Sequence, residues 1–175
     1  MGAQWDQKVA WLNRRKALAK SVALTWDLPF CLAPAVAMHE SASGTSALAL
    51  EHHNEFGQRA WAKMQFQTTD GYLIWPTYDH SWHQFGRDLR KSTLSGYVEA
   101  RRTVKSLQDR SLPEYKLECA WIEMIAATYC PDDPGWVGSV LACLRDVWVI
   151  FGVIEGRTIQ RGGRWWENGC SANRG

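Results

Sequence analysis

The chain has 175 residues, of which 46% are hydrophobic and 22% charged, values typical of a folded globular protein and unlike those of a disordered chain. A formal net charge of +2, without a dense Lys/Arg block, argues against a nucleic-acid-binding protein. The 11 tryptophans supply core area and could also stack on flat apolar ligands such as sugar rings.

Residues 1–20 are amphipathic and lack the apolar segment of a signal peptide. The apolar stretch 22–38 is interrupted by Asp27, Pro29 and Pro34, so it is a poor membrane span. We therefore expect neither nucleic acid nor a membrane as a partner.

The five cysteines are an odd number and show no CxxC spacing, which argues against a complete disulfide framework and against a zinc site. Apolar neighbours surround Cys119, Cys130 and Cys143, and this setting predicts buried free thiols.

In chain order, apolar spacing predicts a first helix over 4–24. Pro34 suits the first turn of a second helix, which should stop near Ser43-Gly44. A short third helix follows, with Thr45 or Ser46 as its N-cap.

In residues 63–75, Met64 and Phe66 alternate with polar residues before Thr69-Asp70-Gly71, and the apolar run Tyr72 to Trp75 follows. Asp-Gly between two such runs predicts a β-hairpin. Prolines then separate helical patterns over 79–91, 95–109, 114–129 and 135–151. The prediction is a mainly α domain over 1–155 with one small hairpin lobe, followed by a Gly/Arg-rich tail over 156–175.

The stretch "MHESASGTSALALEHHNEFG" resembles the signature of the β-N-acetylglucosaminidases of glycoside hydrolase family 73, which are peptidoglycan hydrolases with a lysozyme-like fold. The matching positions are Glu40-Ser41, Gly44, Ser46-Ala47-Leu48-Ala49, Asn54, Phe56 and Gly57. Further along, Tyr78 and Ser81 match a second segment, and Tyr129, Asp133-Pro134 and Trp136 match a third. The sequence departs from the family pattern at His39, His53, Glu55 and Cys130.

The resemblance implies that Glu40 is the general acid. Hydrolysis of a glycosidic bond needs a proton for the leaving oxygen, so the acid must stay protonated near neutral pH. A carboxyl at the edge of an apolar helix is partly desolvated, which raises its pKa. The small residues that follow would leave room for a sugar. The alternative is a purely structural glutamate.

A second group must activate water or stabilise the positive centre. Asp70 in "TTDG" resembles the setting of a family glutamate and would face Glu40 across a cleft, although Asp-Gly is also ordinary turn chemistry. Glu55 and Asp79 are substitutes. If the substrate's acetamido group acts, no second carboxylate is required.

Tyr129 matches a family tyrosine that lines the site, and Asn54 could supply another polar contact. The predicted substrate-binding residues are Asn54, Phe56, Trp61, Trp75, Tyr78 and Trp82, with core packing as the alternative for the aromatic members. The histidines form no HExxH or Cys/His array, so we expect no metal and no cofactor.

The resemblance implies a cell-wall-lytic glycoside hydrolase that cleaves the β-1,4 bond of peptidoglycan glycan strands as a monomer. The alternatives are a muramidase or lytic transglycosylase on the same fold, and a non-catalytic sugar-binding or virion structural domain. Without a signal peptide, the chain resembles a phage endolysin, a virion-borne hydrolase or a fragment of a secreted protein acting at the bacterial wall.

Overall fold

The computed structural model describes residues 2–60, 66–91 and 93–154, and for residues 153 and 154 it describes the backbone only. Seven α-helices account for most of this described chain, which confirms the mainly α prediction. They are α1 (Ala3–Trp26), α2 (Leu32–Glu40), α3 (Ala47–His52), α4 (Tyr78–Arg90), α5 (Ser95–Asp109), α6 (Glu114–Tyr129) and α7 (Trp136–Ile154). Trp61 and the predicted tail over 156–175 lie outside the described residues.

The chain divides into two compact units, Met1–Asp88 and Leu89–Gly175. In the first unit, α1 packs on α2. The α1 face that carries Trp11, Leu12, Ala19 and Val22 is buried, whereas α2 is buried from Leu32 to Met38. Helix α2 therefore forms the apolar centre of this unit, and Glu40 is its last residue.

The second unit is a helical packing in which α6 lies against both α5 and α7. Helix α5 approaches α6 closely, because a Cβ added to Gly96 would overlap the side chain of Thr128. The buried carboxylate of Glu118 on α6 accepts a hydrogen bond of 2.5 Å from the indole of Trp148 on α7. Apolar burial and this hydrogen bond join the helices of the unit.

Two local sequence signals act as predicted at the start of helices. Pro34 lies in the first turn of α2, where its missing N–H removes no helical bond. The side chain of Ser46 accepts a hydrogen bond from the backbone N–H of Ala49, so the N-cap of α3 is confirmed at this serine.

The predicted hairpin is present only as a turn with isolated antiparallel bridges, and the structure shows no two-stranded lobe in the described part of 63–75. Thr68 accepts a hydrogen bond from the N–H of Gly71, and the bridges join Gln67 to Leu73 and Arg59 to Tyr72. Gly71 has φ +80°, which the turn requires. The turn chemistry of Asp-Gly is therefore realised, whereas regular strands do not extend from it.

The cysteine prediction is wrong in two respects. Cys119 is buried and disulfide-bonded, whereas Cys31, Cys130 and Cys143 are not disulfide-bonded. Cys130 and Cys143 are half-buried rather than buried. Apolar neighbours in sequence indicate burial, but they carry no information about a distant sulfur atom.

Helix length and hydropathy also bear on membranes. Within the described ranges, no helix combines the length and the apolar character needed to cross a bilayer.

Candidate active site

Glu40 lies where the apolar helix α2 ends. All seven residues from Leu32 to Met38 are buried, whereas His39 and Glu40 are half-buried at the C-terminal end. The helix therefore emerges from the core at these two residues. The carboxyl group of Glu40 is held by a buried, rigid element while part of its surface stays in contact with solvent.

The chain leaves Glu40 through a left-handed turn of small residues. Ala42, Ser43 and Gly44 have φ values of 49°, 59° and 77°. Ser41 is fully buried, and its hydroxyl donates to the carbonyl of Ala37 (2.5 Å) and accepts from the N–H of Gly44 (2.8 Å). Left-handed backbone is unfavourable for residues with a Cβ, so the surrounding bonds must hold the turn in place.

The loop that carries Gly57 lies beside the carboxylate of Glu40. A Cβ added to Gly57 would be 3.5 Å from Oε2 of Glu40, and this glycine has φ +60°. The glycine thus permits both the left-handed backbone and the close approach. Backbone from the loop 54–58 forms one wall next to the candidate acid.

Asn54 has a structural position in this loop. It is 1% exposed, its amide donates to the carbonyls of Gln58 (2.8 Å) and Leu73 (2.9 Å), and its carbonyl accepts from the N–H of Gln58 (2.9 Å). Its side chain ties the loop to the segment around Leu73. The side chain is thus buried and hydrogen-bonded within the protein, and the role of Asn54 in sugar binding stays a prediction.

Phe56 and Trp82 belong to the core. Phe56 stacks on Phe85 with ring centroids 4.3 Å apart, and it meets Trp82 edge to face at 5.4 Å. Both side chains are buried, at 2% and 0% exposed. The structure therefore favours the alternative of core packing over the predicted sugar contact for these two residues.

Glu55, which the family pattern would replace with an apolar residue, is a fully buried carboxylate. It accepts hydrogen bonds from the indoles of Trp11 (2.9 Å) and Trp82 (2.6 Å) and from the guanidinium of Arg15, whose closest approaches are 2.9 Å. Both carboxylate oxygens are engaged by protein donors. This arrangement argues against Glu55 as a substitute for the second catalytic group.

Sequence reasoning missed this cluster. Trp11 and Arg15 are one helical turn apart on α1, a spacing that places them on one face. The available signal was the charge of Glu55 directly before Phe56, at a position where the sequence departs from the family pattern, since a buried charge requires a partner. The identity of that partner, 40 residues away, was not visible in the sequence.

Tyr78, the first residue of α4, is half-buried and packed between two side chains. The guanidinium carbon of Arg15 lies 3.7 Å from its ring centroid, and the ring of His53 meets it edge to face at 4.7 Å. Nδ1 of His53 is 3.0 Å from the carbonyl oxygen of Trp75. His53 thus contacts both the ring of Tyr78 and the backbone of Trp75.

Trp75 has an unusual polar atom. Its indole Nε1 is buried and has no hydrogen-bond partner in the described part of the chain, although the residue as a whole is half-buried. Its backbone N–H donates to the carbonyl of His52. Of the predicted sugar-binding aromatics that the structure describes, Trp75 and Tyr78 are the two that retain exposed surface.

The candidates for the second catalytic group differ in their surroundings. Asp70 is exposed in the turn before Gly71. Asp79 is also exposed, with Oδ1 lying 3.8 Å from Nε2 of His83. Tyr129 belongs to the second unit, where its half-buried ring lies 5.2 Å from that of Trp136. The structure therefore places Glu40 and Asp70 in one unit and Tyr129 in the other.

A metal site would require several acidic, histidine or cysteine side chains close together. Across 2–60, 66–91 and 93–154, no group of three or more His, Cys, Asp or Glu side chains could hold a metal ion.

Comparison with known proteins identifies one matching family and two similar solved structures. The sequence model of the family described as Glucosaminidase, mannosyl-glycoprotein endo-beta-N-acetylglucosaminidase, matches residues 16–147. No curated protein matches the chain. The catalytic domain of the autolysin Auto from Listeria monocytogenes is similar in structure, with a TM-score of 0.59, 18% identity and coverage of 86% of this chain and 88% of the domain.

A chain from a type VI secretion system effector–immunity complex of Pseudomonas protegens is also similar. It gives a TM-score of 0.57 at 16% identity, with coverage of 83% of this chain and 94% of that chain. At such identities, the two structural matches establish a shared fold.

Proposed function

Because the chain belongs to the glucosaminidase family and is a cell-wall glycoside hydrolase, we propose that it cleaves the β-1,4 bond of peptidoglycan glycan strands on the N-acetylglucosamine side, with Glu40 as general acid. The observation that carries this proposal is the position of Glu40 at the half-buried end of the apolar helix α2, with Oε2 beside Gly57. The matched range 16–147 includes every residue used in the argument.

The proposed reaction begins with the carboxyl group of Glu40 protonated. Its proton passes to the glycosidic oxygen as the bond from that oxygen to the sugar C1 breaks, and the C1 centre becomes oxocarbenium-like. A water molecule then supplies a hydroxyl group to C1, and its remaining proton returns to the carboxylate of Glu40. One water is consumed, and a new reducing end forms.

We propose Asp70 as the group that stabilises C1 or activates the water, with the substrate's own acetamido oxygen as the competing candidate. The position of Asp70 in an exposed turn of the same unit as Glu40 supports the first option. The Asp70→Asn variant distinguishes a role of this carboxylate from a role of the acetamido oxygen. An acetamido-assisted reaction would keep most of its rate, whereas a reaction that needs the carboxylate would lose roughly two to four powers of ten.

Sugar binding is assigned to Trp75 and Tyr78, with Tyr129 as a further candidate for a polar contact. Aromatic rings offer flat apolar surface to the faces of sugar rings, and an indole or phenol adds a donor for a hydroxyl or acetamido oxygen. The half-buried position of both rings in the first unit supports this role. The structural likeness to an autolysin catalytic domain supports a bacterial wall as the target.

The deciding experiment digests purified peptidoglycan with the protein and identifies the new reducing ends by mass spectrometry of reduced muropeptides. We expect reducing N-acetylglucosamine ends. Reducing N-acetylmuramic acid ends would instead indicate a muramidase, and anhydro ends a lytic transglycosylase.

The matched control is Glu40→Gln, which preserves shape but cannot deliver the proton. We expect it to retain the circular dichroism spectrum and melting temperature of the parent protein and to release no muropeptides. Near-full activity in a folded Glu40→Gln protein would remove Glu40 from the mechanism. Absence of any cleavage by the parent protein would favour a non-catalytic sugar-binding domain.

A further inference from the structure

The buried carboxylate of Glu55 connects three parts of the first unit. Trp11 and Arg15 reach it from α1, and Trp82 reaches it from α4, while Glu55 itself lies in the loop between α3 and α4. The shortest of these bonds, from the indole of Trp82 to Oε2, is 2.6 Å. The cluster therefore fixes the loop with respect to both helices.

Among the described residues, Arg15 is the charged donor of this cluster. Its Nε lies 2.9 Å from Oε2 and its terminal nitrogen 2.9 Å from Oε1, so the guanidinium meets the carboxylate edge on, with two parallel hydrogen bonds. Such bidentate pairing fixes the plane of the guanidinium as well as its position. The side chains of Arg15 and Glu55 are 14% and 0% exposed, so water competes little for these bonds.

The same guanidinium faces Tyr78. Its carbon is 3.7 Å from the ring centroid, a distance at which a cation is attracted to the π-electrons of an aromatic ring. Because Glu55 fixes the plane of the Arg15 guanidinium, the guanidinium in turn favours one orientation of the Tyr78 ring. His53 contacts the ring edge to face and limits its movement from another side.

Two glycines in the loops near Glu40 show how close the cluster lies to the candidate acid. A Cβ added to Gly44 would overlap the indole of Trp11 and lie 3.3 Å from Oε1 of Glu55. Gly57, two residues after Glu55, is the glycine beside the carboxylate of Glu40. The cluster is therefore adjacent to the proposed acid without containing it.

We propose that Arg15, held by the buried carboxylate of Glu55, is a positioning residue that orients the ring of Tyr78 for contact with the glycan. This inference rests on the proposed function, because it assigns Tyr78 to sugar binding. It implies that the ion pair affects substrate affinity in addition to folding stability. A purely structural pair would affect stability alone.

The test replaces the pair by apolar residues of similar size. Glu55→Leu alone leaves Arg15 buried without its partner, and Arg15→Met alone leaves a buried carboxylate, so both single variants should lower the melting temperature strongly. The double variant Arg15→Met/Glu55→Leu removes both charges and should recover part of that loss, because the buried indole N–H groups of Trp11 and Trp82 still lose their acceptor. The ring of Tyr78 then lacks its cationic neighbour.

The readout is the KM for soluble, uncrosslinked glycan strands, measured well below each melting temperature. For the double variant we expect a KM raised roughly five- to tenfold with kcat within about twofold, given the usual strength of a desolvated cation–π contact. A folded double variant with parental KM would overturn the proposal, whatever its melting temperature.

Arg15→Lys provides a second variant in case the double variant does not fold. Lysine keeps the charge near Glu55 but lacks the planar, bidentate group, so KM should rise while most stability remains. An unchanged KM in Arg15→Lys would contradict the positioning role. In a Tyr78→Leu background, Arg15→Lys should add no further increase in KM, and additive effects would also overturn the proposal.

Trp26→Phe is the matched control for stability. It removes the hydrogen bond of 3.1 Å from the indole of Trp26 to Nδ1 of His83, which also joins α1 to α4. This variant should lower the melting temperature without raising KM. A raised KM here would show that any weakening of the contact between α1 and α4 affects binding, which would overturn a specific role for Arg15.

Binding of the same strands to Glu40→Gln protein, with and without the Arg15→Lys change, separates this proposal from the proposed function. Weaker binding in the Arg15→Lys background supports the positioning role even if Glu40→Gln proves active and the assignment of the acid fails. Equal binding in both backgrounds overturns the positioning role even if Glu40 is confirmed as the acid.

Discussion

The backbone of Gly57 lies against the carboxylate of Glu40, where an added Cβ would be 3.5 Å from Oε2. At φ +60°, an alanine would also carry the cost of left-handed backbone, roughly 1–2 kcal/mol. We expect Gly57→Ala to lower both the melting temperature and kcat, because the methyl group takes space beside the proposed acid. Turnover of glycan strands and thermal unfolding would measure the two effects.

Gly57→Asn serves as the control at the same position. Asparagine tolerates left-handed backbone better than alanine, so it should recover part of the stability. It still places a side chain beside Glu40, so kcat should stay low. If Gly57→Asn recovered both the melting temperature and kcat, the effect of alanine would come from backbone strain and not from a side chain close to Glu40.

Two tryptophans provide a matched pair for the next prediction. Trp82 donates its indole N–H to Glu55, whereas the buried N–H of Trp75 has no partner in the described residues. Trp82→Phe removes a hydrogen bond to a buried charge. It should therefore lower the free energy of unfolding by roughly 1.5–3 kcal/mol, and the melting temperature with it. Trp75→Phe should leave stability unchanged or slightly higher.

Glycan affinity completes that comparison. If the N–H of Trp75 serves the sugar, Trp75→Phe should weaken binding of glycan strands in isothermal titration calorimetry. Parental affinity in Trp75→Phe would exclude this N–H from recognition, and strong destabilisation would show that it has a structural role.

The left-handed turn after Glu40 allows a test of backbone strain. Ala42 is exposed and has φ 49°, so Ala42→Gly should relieve a cost of roughly 1 kcal/mol and raise or preserve the melting temperature. Ala10 is exposed within α1, where the same change should cost about 1 kcal/mol. Chemical denaturation of both variants would measure the difference, and equal destabilisation would contradict the strained turn.

A pH effect is expected from Glu123 on α6. Burial raises the pKa of this carboxyl above its usual value, so its ionisation opposes folding. The stability it contributes is fully present below its unfolded pKa and is lost as pH rises through the higher folded pKa. Glu123→Gln should thus match the parent near pH 3 and have the higher melting temperature of the two at pH 7.

Glu99→Gln, on an exposed position of α5, is the control for this pH effect. It should shift the melting temperature equally at both pH values. A Glu123→Gln variant that is no more stable than the parent at pH 7 would contradict the effect of burial.

Local signals in the sequence predicted much of the fold. The boundaries of α5 and α6 agree with the predicted ranges 95–109 and 114–129, because prolines and apolar periodicity mark them directly. The position of Glu40 at the end of an apolar helix was also readable, since Val36 and Ala37 precede it within one turn. These features depend only on residues a few positions apart.

Features that depend on distant contacts could not be predicted. Trp82 and Trp75 are alike in sequence, yet one is buried against Phe56 and Glu55 and the other is half-exposed. Asp70-Gly71 forms its turn from local chemistry, whereas strand length depends on partners such as Leu73 and Arg59. The pairing of Arg15 with Glu55 spans 40 residues.

The pairing of Arg15 with Glu55 also restricts how related sequences can diverge. Loss of either residue alone leaves a buried charge without its counter-charge, so each single change is expected to be unfavourable. Replacement of the pair by apolar residues would have to pass through such an intermediate, and it would also leave the indoles of Trp11 and Trp82 without their acceptor. A lineage that has acquired both charges is expected to retain them together, and the two positions should covary among its descendants.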